Sequence, residues 1–244
     1  MIVVENKFTF LHIPKTAGMT LIKMFRKNFN VEMYGHHVPY KYQPLADYAL
    51  PTVAIVRNPV DWYISAISFI KSRRNGYFVP RNKNNNRSGK NGSIISTVFD
   101  SEPTADDIVK LFLAPTAEQI NTIKQFYNPR NIQFADSYGP KRIFFTDPTY
   151  WDDAQNYGLF NYHWNNLTEK VTGQSDITVI KYEELSTALP QFMSENLTGT
   201  VEQYTTMIEN ARKFHVTQNP VVLEQATIDL IIEKEANIIN AYGY

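Results

Sequence analysis

Short apolar runs alternate with longer amphipathic stretches along this chain. The runs have the length and composition of buried strands, and the longer stretches repeat their apolar positions at helical spacing. The runs predict strands at residues 2–4 or 8–12, 52–57, 142–146 and 177–181. The longer stretches predict helices at 20–29, 59–73, 104–113, 116–126, 149–171, 186–195, 200–213 and 224–241. This alternation favours an α/β fold with a doubly wound parallel sheet flanked by helices.

Composition favours a single folded domain that spans residues 1–244. Hydrophobic residues make up 43% of the chain, which is enough for a substantial core at this length. Lys and Arg number 24, as do Asp and Glu, so the net charge gives no general attraction to nucleic acid. The absence of cysteine excludes disulfides, thiolate metal sites and a cysteine nucleophile. Because no apolar run could span a bilayer and the first residues do not resemble a secretory signal, we expect a cytoplasmic protein.

The segment HIPKTAGMT, residues 12–20, has the features of an anion-binding loop. An apolar run stops at Pro14, a short polar loop follows, and Thr20 opens an amphipathic stretch. A strand, a tight loop and a helix N-terminus present backbone N–H groups and the positive end of a helix dipole. Lys15 adds a cation, and Thr16 and Thr20 add hydroxyl groups. The loop is not a Walker loop, and an ordinary strand–helix turn with a surface lysine is the alternative.

A second junction between a strand and a helix contains an arginine. Residues 52–57, TVAIVR, form an apolar run that ends in Arg57, and Asn58 followed by Pro59 is a signature of a helix start. Arg57 is therefore expected at the carboxyl end of a buried strand, where open α/β sheets bind ligands. Ser65 follows about two turns into the helix. The alternative is an arginine that caps the sheet edge and a serine that faces a neighbouring helix.

Together the two segments resemble the sulfotransferases that use 3′-phosphoadenosine-5′-phosphosulfate (PAPS). HIPKTAGMTL (12–21) is similar to the family's 5′-phosphosulfate loop, often written PKTAGTSL, and IVRNPVDWYISAISF (55–69) is similar to its 3′-phosphate motif, R-[DN]-P-x-x-[RW]-x-x-S. Both stand in the family's order and at a typical separation. The resemblance implies a P-loop-like fold and a PAPS site, with adenosine 3′,5′-bisphosphate (PAP) as product and no metal required. The cofactor-binding residues that it implies are Lys15, Thr16, Ala17, Gly18, Met19, Thr20, Arg57 and Ser65.

Later segments resemble the same family more weakly. FYNPRNIQFADSYG (126–139) is similar to its N-x-Q segment, without the arginine that commonly follows the glutamine. ITVIKYEELSTAL (177–189) is similar to its late strand, and the final INAYGY is similar to its last helix and terminal tyrosine. Met19 stands where the family usually has threonine or serine, which leaves anion binding to backbone amides, Lys15 and the two threonines.

Transfer of a sulfuryl group to a hydroxyl needs a base for the hydroxyl proton and a cation for the oxygen that leaves sulfur. By analogy with phosphoryl transfer, Lys15 is the expected partner of the leaving phosphate. MYGHHVPYKY is similar to the G-H-V element of glycosaminoglycan uronyl 2-O-sulfotransferases, in which a histidine before valine is the base. That resemblance implies that His37 is the base, and we expect His36 to contact substrate. The alternative is that both are ordinary surface histidines.

The remaining histidines are weaker candidates for the base. His12 stands on the first strand and fits a core residue as well as a base. His163 lies in NYHWNN without a supporting motif and is interpreted as structural. His215 lies in KFHVTQNP, where many members of the resembled family have a basic or polar cofactor segment.

Residues 71–92, KSRRNGYFVPRNKNNNRSGKNG, contain basic residues and no acid. Asn and Gly dominate the second half, so the segment is predicted to be a flexible loop. One interpretation is a solvated surface loop. The other is a cationic patch that attracts PAPS or an anionic acceptor, with Arg81, Lys83 and Arg87 as substrate contacts.

The predicted function is a PAPS-dependent sulfotransferase that acts on a hydroxyl acceptor, expected to be a carbohydrate or another small molecule. A P-loop-type nucleotide or small-molecule kinase is one alternative, although the chain has no Walker motif. A non-catalytic nucleotide-binding protein is another. A nucleic-acid binder that uses residues 71–92 is the least favoured, because the chain as a whole carries no net charge.

Overall fold

A computed structural model of the chain describes residues 1–35, 37–71, 95, 98–126, 150–153, 156–212 and 219–244. The chain divides into two compact units: Met1–Asn58 with His163–Val216, and Pro59–Tyr162 with Thr217–Tyr244. The single domain over 1–244 stays a prediction, because one domain and two domains can both divide in this way. No helix in the described part of the chain has the length and apolar character needed to cross a bilayer.

The first unit is built on an open five-stranded sheet with strand order β3-β1-β2-β4-β5. Its strands are β1 (Ile2–Val4), β2 (Phe8–Leu11), β3 (Val31–Met33), β4 (Thr52–Val56) and β5 (Ile177–Lys181). β2, β4 and β5 run parallel, whereas β1 pairs antiparallel with both β2 and β3. The α/β class with helices around an open sheet is confirmed, but the expectation of a fully parallel sheet is wrong because the sheet is mixed.

A tight hairpin explains why β1 runs against β2. Only three residues connect these strands, and a parallel pair would need a crossover of a dozen or more residues. Glu5 and Asn6 both have positive φ, at 51° and 53°, and the Lys7 N–H donates to the Val4 carbonyl at 2.9 Å. Positive φ at both central residues is typical of the turns that connect twisted antiparallel strands. The segments 2–4 and 8–12, predicted as alternative strands, are therefore both used, as the two strands Ile2–Val4 and Phe8–Leu11 of one hairpin.

The described helices agree with most of the predicted ones, and two predicted helices are each divided. They are α1 (Gly18–Asn28), α2 (Pro59–Lys71), α3 (Ala105–Leu113), α4 (Ala117–Phe126), α5 (Tyr150–Asp153), α6 (Leu159–Thr168), α7 (Leu185–Asn196), α8 (Val201–Arg212), α9 (Gln225–Lys234) and α10 (Ala236–Tyr242). The stretch 149–171 contains α5 and α6, and the stretch 224–241 contains α9 and α10. The predicted strand at 142–146 and most of the segment 126–139 lie outside the described residues.

Helices α1, α7 and α8 pack against the sheet and form the core of the first unit. Phe8 of β2 lies edge-on to two other rings, with centroid distances of 5.7 Å to Phe25 and 5.3 Å to Phe192. Such aromatic pairs add about 0.5–1.5 kcal/mol beyond the burial of their apolar area. This core holds β2 against α1, and the two elements are joined by the loop at residues 12–17.

The described elements of the second unit are helical, and they enclose a buried carboxylate. Glu235, between α9 and α10, is fully buried. Its oxygens accept hydrogen bonds from the Phe160 N–H at 2.9 Å, the Asn161 N–H at 2.8 Å and the Tyr63 hydroxyl at 2.8 Å. Tyr63 in turn accepts the Leu159 N–H at 2.8 Å. The first three N–H groups of α6, which have no partner inside the helix, are thus satisfied by side chains from elsewhere in the unit.

Candidate functional site

The loop between β2 and α1 turns sharply through two residues with left-handed backbone. Lys15 has φ 61° and Ala17 has φ 67°, and α1 begins immediately afterwards at Gly18. The Thr16 side chain is buried, and its hydroxyl donates to the Ile13 carbonyl at 2.9 Å, which closes the loop on itself. Two non-glycine residues with positive φ in three positions are uncommon, and such strain concentrates at ligand-binding sites.

Gly18 is required at the start of α1 because the His12 ring lies against it. A Cβ atom on Gly18 would stand 1.8 Å from His12 Cδ2 and 2.2 Å from His12 Nε2. His12 is buried, at 2% exposure, so its ring cannot swing into solvent to make room. The glycine of the KTAG segment therefore allows the helix N-terminus to approach the imidazole closely.

Arg57 reaches the same loop from the end of β4. Because β2 and β4 are parallel neighbours, their carboxyl ends meet at one edge of the sheet. Arg57 Nη1 donates to the Lys15 carbonyl at 3.3 Å. Its Nε is buried and has no hydrogen-bond partner among the described residues. Arg57 therefore contributes both to the shape of the loop and to its positive charge.

Tyr182 is a site residue that lies outside the two motifs at 12–21 and 55–69. The Arg57 guanidinium carbon lies 4.7 Å from the centroid of the Tyr182 ring, a cation–π contact. The strand register explains the meeting, since Val56 of β4 pairs with Lys181 of β5 and the next residues are Arg57 and Tyr182. The similar ends of TVAIVR and ITVIKY were a signal that could have predicted this pair.

Lys15 and Arg57 bring two positive charges together at the partly buried loop between β2 and α1. Burial, assisted by the charge of Arg57, lowers the pKa of Lys15 from 10.5 to about 8. The carboxylate of Glu183 is nearby, where it accepts the Asn58 N–H at 3.5 Å. The lowered pKa means that the charged form of Lys15 is poorly stabilised in the protein alone, and a bound anion would raise that pKa.

His37 lies beside this loop and not on the first helix or on a strand. The backbone just before His37 is held by the Met1 amine, which donates a hydrogen bond to the Gly35 carbonyl at 2.6 Å. The backbone after His37 is held by Tyr40, whose buried hydroxyl lies 3.0 Å from the hydroxyl of Thr52. His37 has φ 54°, so the backbone turns there.

The His37 ring contacts His12. The ring centroids are 4.2 Å apart with a 38° tilt, and His37 Nδ1 lies 3.2 Å from the His12 carbonyl oxygen. His37 is half-buried, so part of its side chain remains accessible. His12, which was expected to be a core residue or a base, is thus the link between His37 and the first turn of α1.

The other predicted site residues fall in three groups. Thr20 is buried at the first turn of α1, whereas Met19 is 45% exposed. Ser65 is a buried residue of α2, in the second unit. The candidates that lie outside the described residues are His36, Arg81, Lys83, Arg87 and His215. In the described part of the chain, no group of three or more His, Asp or Glu side chains is arranged to hold a metal ion.

The described site is suited to an anion with more than one negative charge. A helix N-terminus, an ammonium group and a guanidinium group meet at the Lys15–Gly18 loop, with an imidazole nearby. Comparison of the chain with protein-family models, curated proteins and solved structures found no match.

Proposed function

We propose that the protein is a sulfotransferase that moves the sulfuryl group of PAPS to a hydroxyl acceptor, expected to be a carbohydrate. The proposal combines the two sequence motifs with one structural observation. Arg57 of the second motif contacts the backbone of Lys15 in the first motif. A P-loop-like fold is part of this proposal, because the parallel strands β2 and β4 end at a loop that leads into a helix.

The residues of the loop fit the phosphate groups of PAPS. Lys15 and the first N–H groups of α1 would bind the 5′-phosphosulfate, and Arg57 would bind the 3′-phosphate, as the motif resemblance implies. The buried Nε of Arg57, which has no partner among the described residues, is consistent with a guanidinium that awaits an anionic ligand. Ala17, Gly18 and Met19 would supply backbone and not side-chain contacts.

The proposed chemistry needs proton transfer, charge stabilisation and placement of the reactants from the protein. The acceptor oxygen forms a bond to sulfur while the bond from sulfur to the bridging oxygen of the 5′-phosphate breaks. His37 takes the hydroxyl proton of the acceptor. Lys15 stabilises the charge that develops on the departing phosphate oxygen, and in-line placement of the reactants supplies the rest of the rate enhancement.

Two further functions remain as weaker candidates. A kinase would use the same loop for ATP, but the chain lacks the Walker spacing. A non-catalytic nucleotide-binding protein would bind PAP and transfer nothing. The contact between His37 and His12 at the loop favours the enzyme over this second candidate, because binding alone does not call for an imidazole there.

Binding of PAP to the wild-type chain and to Arg57→Ala, measured by calorimetry, tests the proposal. A charge-assisted hydrogen bond to phosphate is worth about 1.5–3 kcal/mol, so the variant should bind at least tenfold more weakly. Arg26→Ala, an exposed arginine near the end of α1, is the matched control and should bind like the wild type. Equal affinity of Arg57→Ala and wild type would refute the assignment of the 3′-phosphate site.

A further inference from the structure

The His12 imidazole is enclosed by three neighbours that leave it little freedom. Its Cδ2–Nε2 edge lies against Gly18, at the start of α1. The ring is nearly parallel to that of Phe10, at a centroid distance of 6.5 Å, and its third neighbour is His37, at 4.2 Å. With 2% of its surface exposed, His12 is part of the packed core and also touches the half-buried His37.

The hydrogen bond between the two histidines determines which nitrogen of His37 bears the proton. A backbone carbonyl oxygen can only accept, so His37 Nδ1, 3.2 Å from the His12 oxygen, must be the donor. A neutral imidazole carries one N–H group. With the proton on Nδ1, the lone pair of His37 lies on Nε2, which is the nitrogen that can accept a proton.

We propose that His12 is the positioning residue of His37, which it holds as the Nδ1–H tautomer through its carbonyl and in a fixed orientation through its ring. The catalytic meaning of this arrangement rests on the proposed function, in which His37 Nε2 receives the acceptor proton. The tautomer itself does not depend on that function. Because Gly18 touches the other edge of the His12 ring, the same residue also fixes the distance between the base and the phosphate loop.

Nitrogen-15 NMR of the histidine rings tests the tautomer directly in the full chain. The protein has five histidines, and the His37 signals are assigned by their loss in His37→Ala. At a pH where the ring is neutral, we expect Nδ1 of His37 to be protonated and Nε2 to be unprotonated. An Nε2–H tautomer, or an equal mixture of the two, would overturn the proposal even if the protein proves to be a sulfotransferase.

Substitution of His12 tests the role of its ring, since the backbone carbonyl remains in every variant. His12→Phe retains an aromatic ring between Gly18 and His37 and should keep the Nδ1–H tautomer and most of the turnover. His12→Ala removes the ring that orients His37, so His37 Nδ1 should no longer stay on the carbonyl and the neutral ring should become a mixture of tautomers. We then expect kcat to fall by up to about 10²-fold, the usual effect of a small misplacement of a catalytic group. The KM for PAPS should change much less than kcat.

His163→Phe is the matched control, because His163 is a buried histidine on α6. It should leave the His37 signals unchanged. If His12→Ala does not fold, the tautomer of the wild-type protein and the behaviour of His12→Phe still decide the proposal. Failure of the proposed function would be seen separately, as an absence of PAP binding and of sulfuryl transfer in a protein whose His37 is the Nδ1–H tautomer.

Discussion

His37 and Lys15 differ in what each would contribute, and this difference gives the first prediction. His37→Ala should lower kcat by about 10²–10⁴-fold, the usual contribution of a positioned base, while PAP binding persists. Lys15→Ala should reduce both turnover and PAP affinity, because a cation at the phosphate acts on the bound ligand as well as on the leaving oxygen. Steady-state kinetics with PAPS and calorimetry with PAP measure the two effects.

Lys27→Ala, an exposed lysine at the end of α1, is the matched control for Lys15→Ala and should resemble wild type in both measurements. Normal turnover of His37→Ala would show that another residue is the base.

The lowered pKa of Lys15 predicts how PAP binding depends on pH. The free protein loses the Lys15 proton at a pH of about 8, and a bound anion shifts that pKa upward. PAP affinity should therefore be constant with respect to this group below about pH 8 and fall above it, by up to about tenfold per pH unit. Calorimetry at pH 8.5 in buffers of different ionisation enthalpy should show proton uptake on binding.

Lys15→Met should remove that proton uptake, because it removes the titrating group. An unchanged pH dependence in Lys15→Met would mean that a different group responds to the anion.

Two opposing effects determine the stability of the variant Gly18→Ala. In a helix interior alanine is favoured over glycine by about 1 kcal/mol, so at this first helical position propensity would favour Gly18→Ala by at most that amount. The added Cβ, however, would stand 1.8 Å from His12 Cδ2, and a buried ring cannot move without repacking. Overpacking of this kind costs about 1–3 kcal/mol, so we expect a net loss of stability in chemical denaturation.

Gly18→Ala should also shift the His37 NMR signals, since the ring that contacts His37 must move. Met19→Ala, at an exposed neighbouring position, tests helix propensity without the steric effect and should leave both stability and the His37 signals nearly unchanged. Greater stability of Gly18→Ala would contradict the close packing of His12 on Gly18.

At the level of elements, α6 begins at a buried carboxylate. Burial, assisted by the charge of Glu235, raises the pKa of the neighbouring Tyr150 hydroxyl well above its usual value. Burial raises the pKa of Glu235 from 4.5 to about 7, against the opposing effect of its three hydrogen bonds. Burial and the nearby carboxylate raise the pKa of Tyr63, so its hydroxyl stays protonated and continues to donate to Glu235.

Glu235 therefore predicts a pH dependence of folding stability. Between pH 4.5 and about 7 the folded chain keeps a proton on Glu235 that the unfolded chain has lost, so stability falls as pH rises through this window. The loss attributable to this group is on the order of 3 kcal/mol across the window and does not grow above it. Urea denaturation at several pH values measures it.

Glu235→Gln removes the titrating group while keeping a similar shape, so its stability should fall less steeply over the same pH range. The NH₂ group of the glutamine cannot accept a hydrogen bond from an N–H group of α6. The loss of that hydrogen bond lowers stability by the same amount at every pH, so it does not change the pH dependence. Glu233→Gln, an exposed acid two residues earlier, should retain the wild-type slope. If Glu235→Gln keeps that slope as well, the pH dependence arises from other groups.

For the molecule as a whole, the sequence predicted those features that depend on local pattern. The helix starts near Thr20 and at Pro59, and the strands that end before Lys15 and Arg57, follow from apolar runs and capping residues. The meeting of Lys15 and Arg57 could be predicted as well, because parallel neighbours end at one edge of a sheet.

Features that depend on strand pairing could not be predicted in the same way. The mixed sheet follows from the short turn between β1 and β2, in which Glu5 and Asn6 have positive φ. The sequence does not predict this conformation, because neither residue is glycine. The position of His12 at the site depends on the packing of its ring against Gly18. Strand pairing and side-chain packing depend on residues that are distant in the sequence, and the pattern of one segment carries no information about them.

The choice between PAPS chemistry and ATP chemistry is a property of the whole chain, and it gives the last prediction. A ligand at 100 times its Kd stabilises the folded state by about 2.7 kcal/mol, which corresponds to an increase in Tm of roughly 5–10 °C for a chain of this size. PAP should give such an increase, whereas ATP with Mg²⁺ at the same concentration should give much less, because Arg57 would find a 3′-phosphate only in PAP. Arg57→Ala should lose the response to PAP while keeping its own fold. A larger increase with ATP than with PAP would favour the kinase, and would show that the meeting of Arg57 with the Lys15 loop serves a different nucleotide.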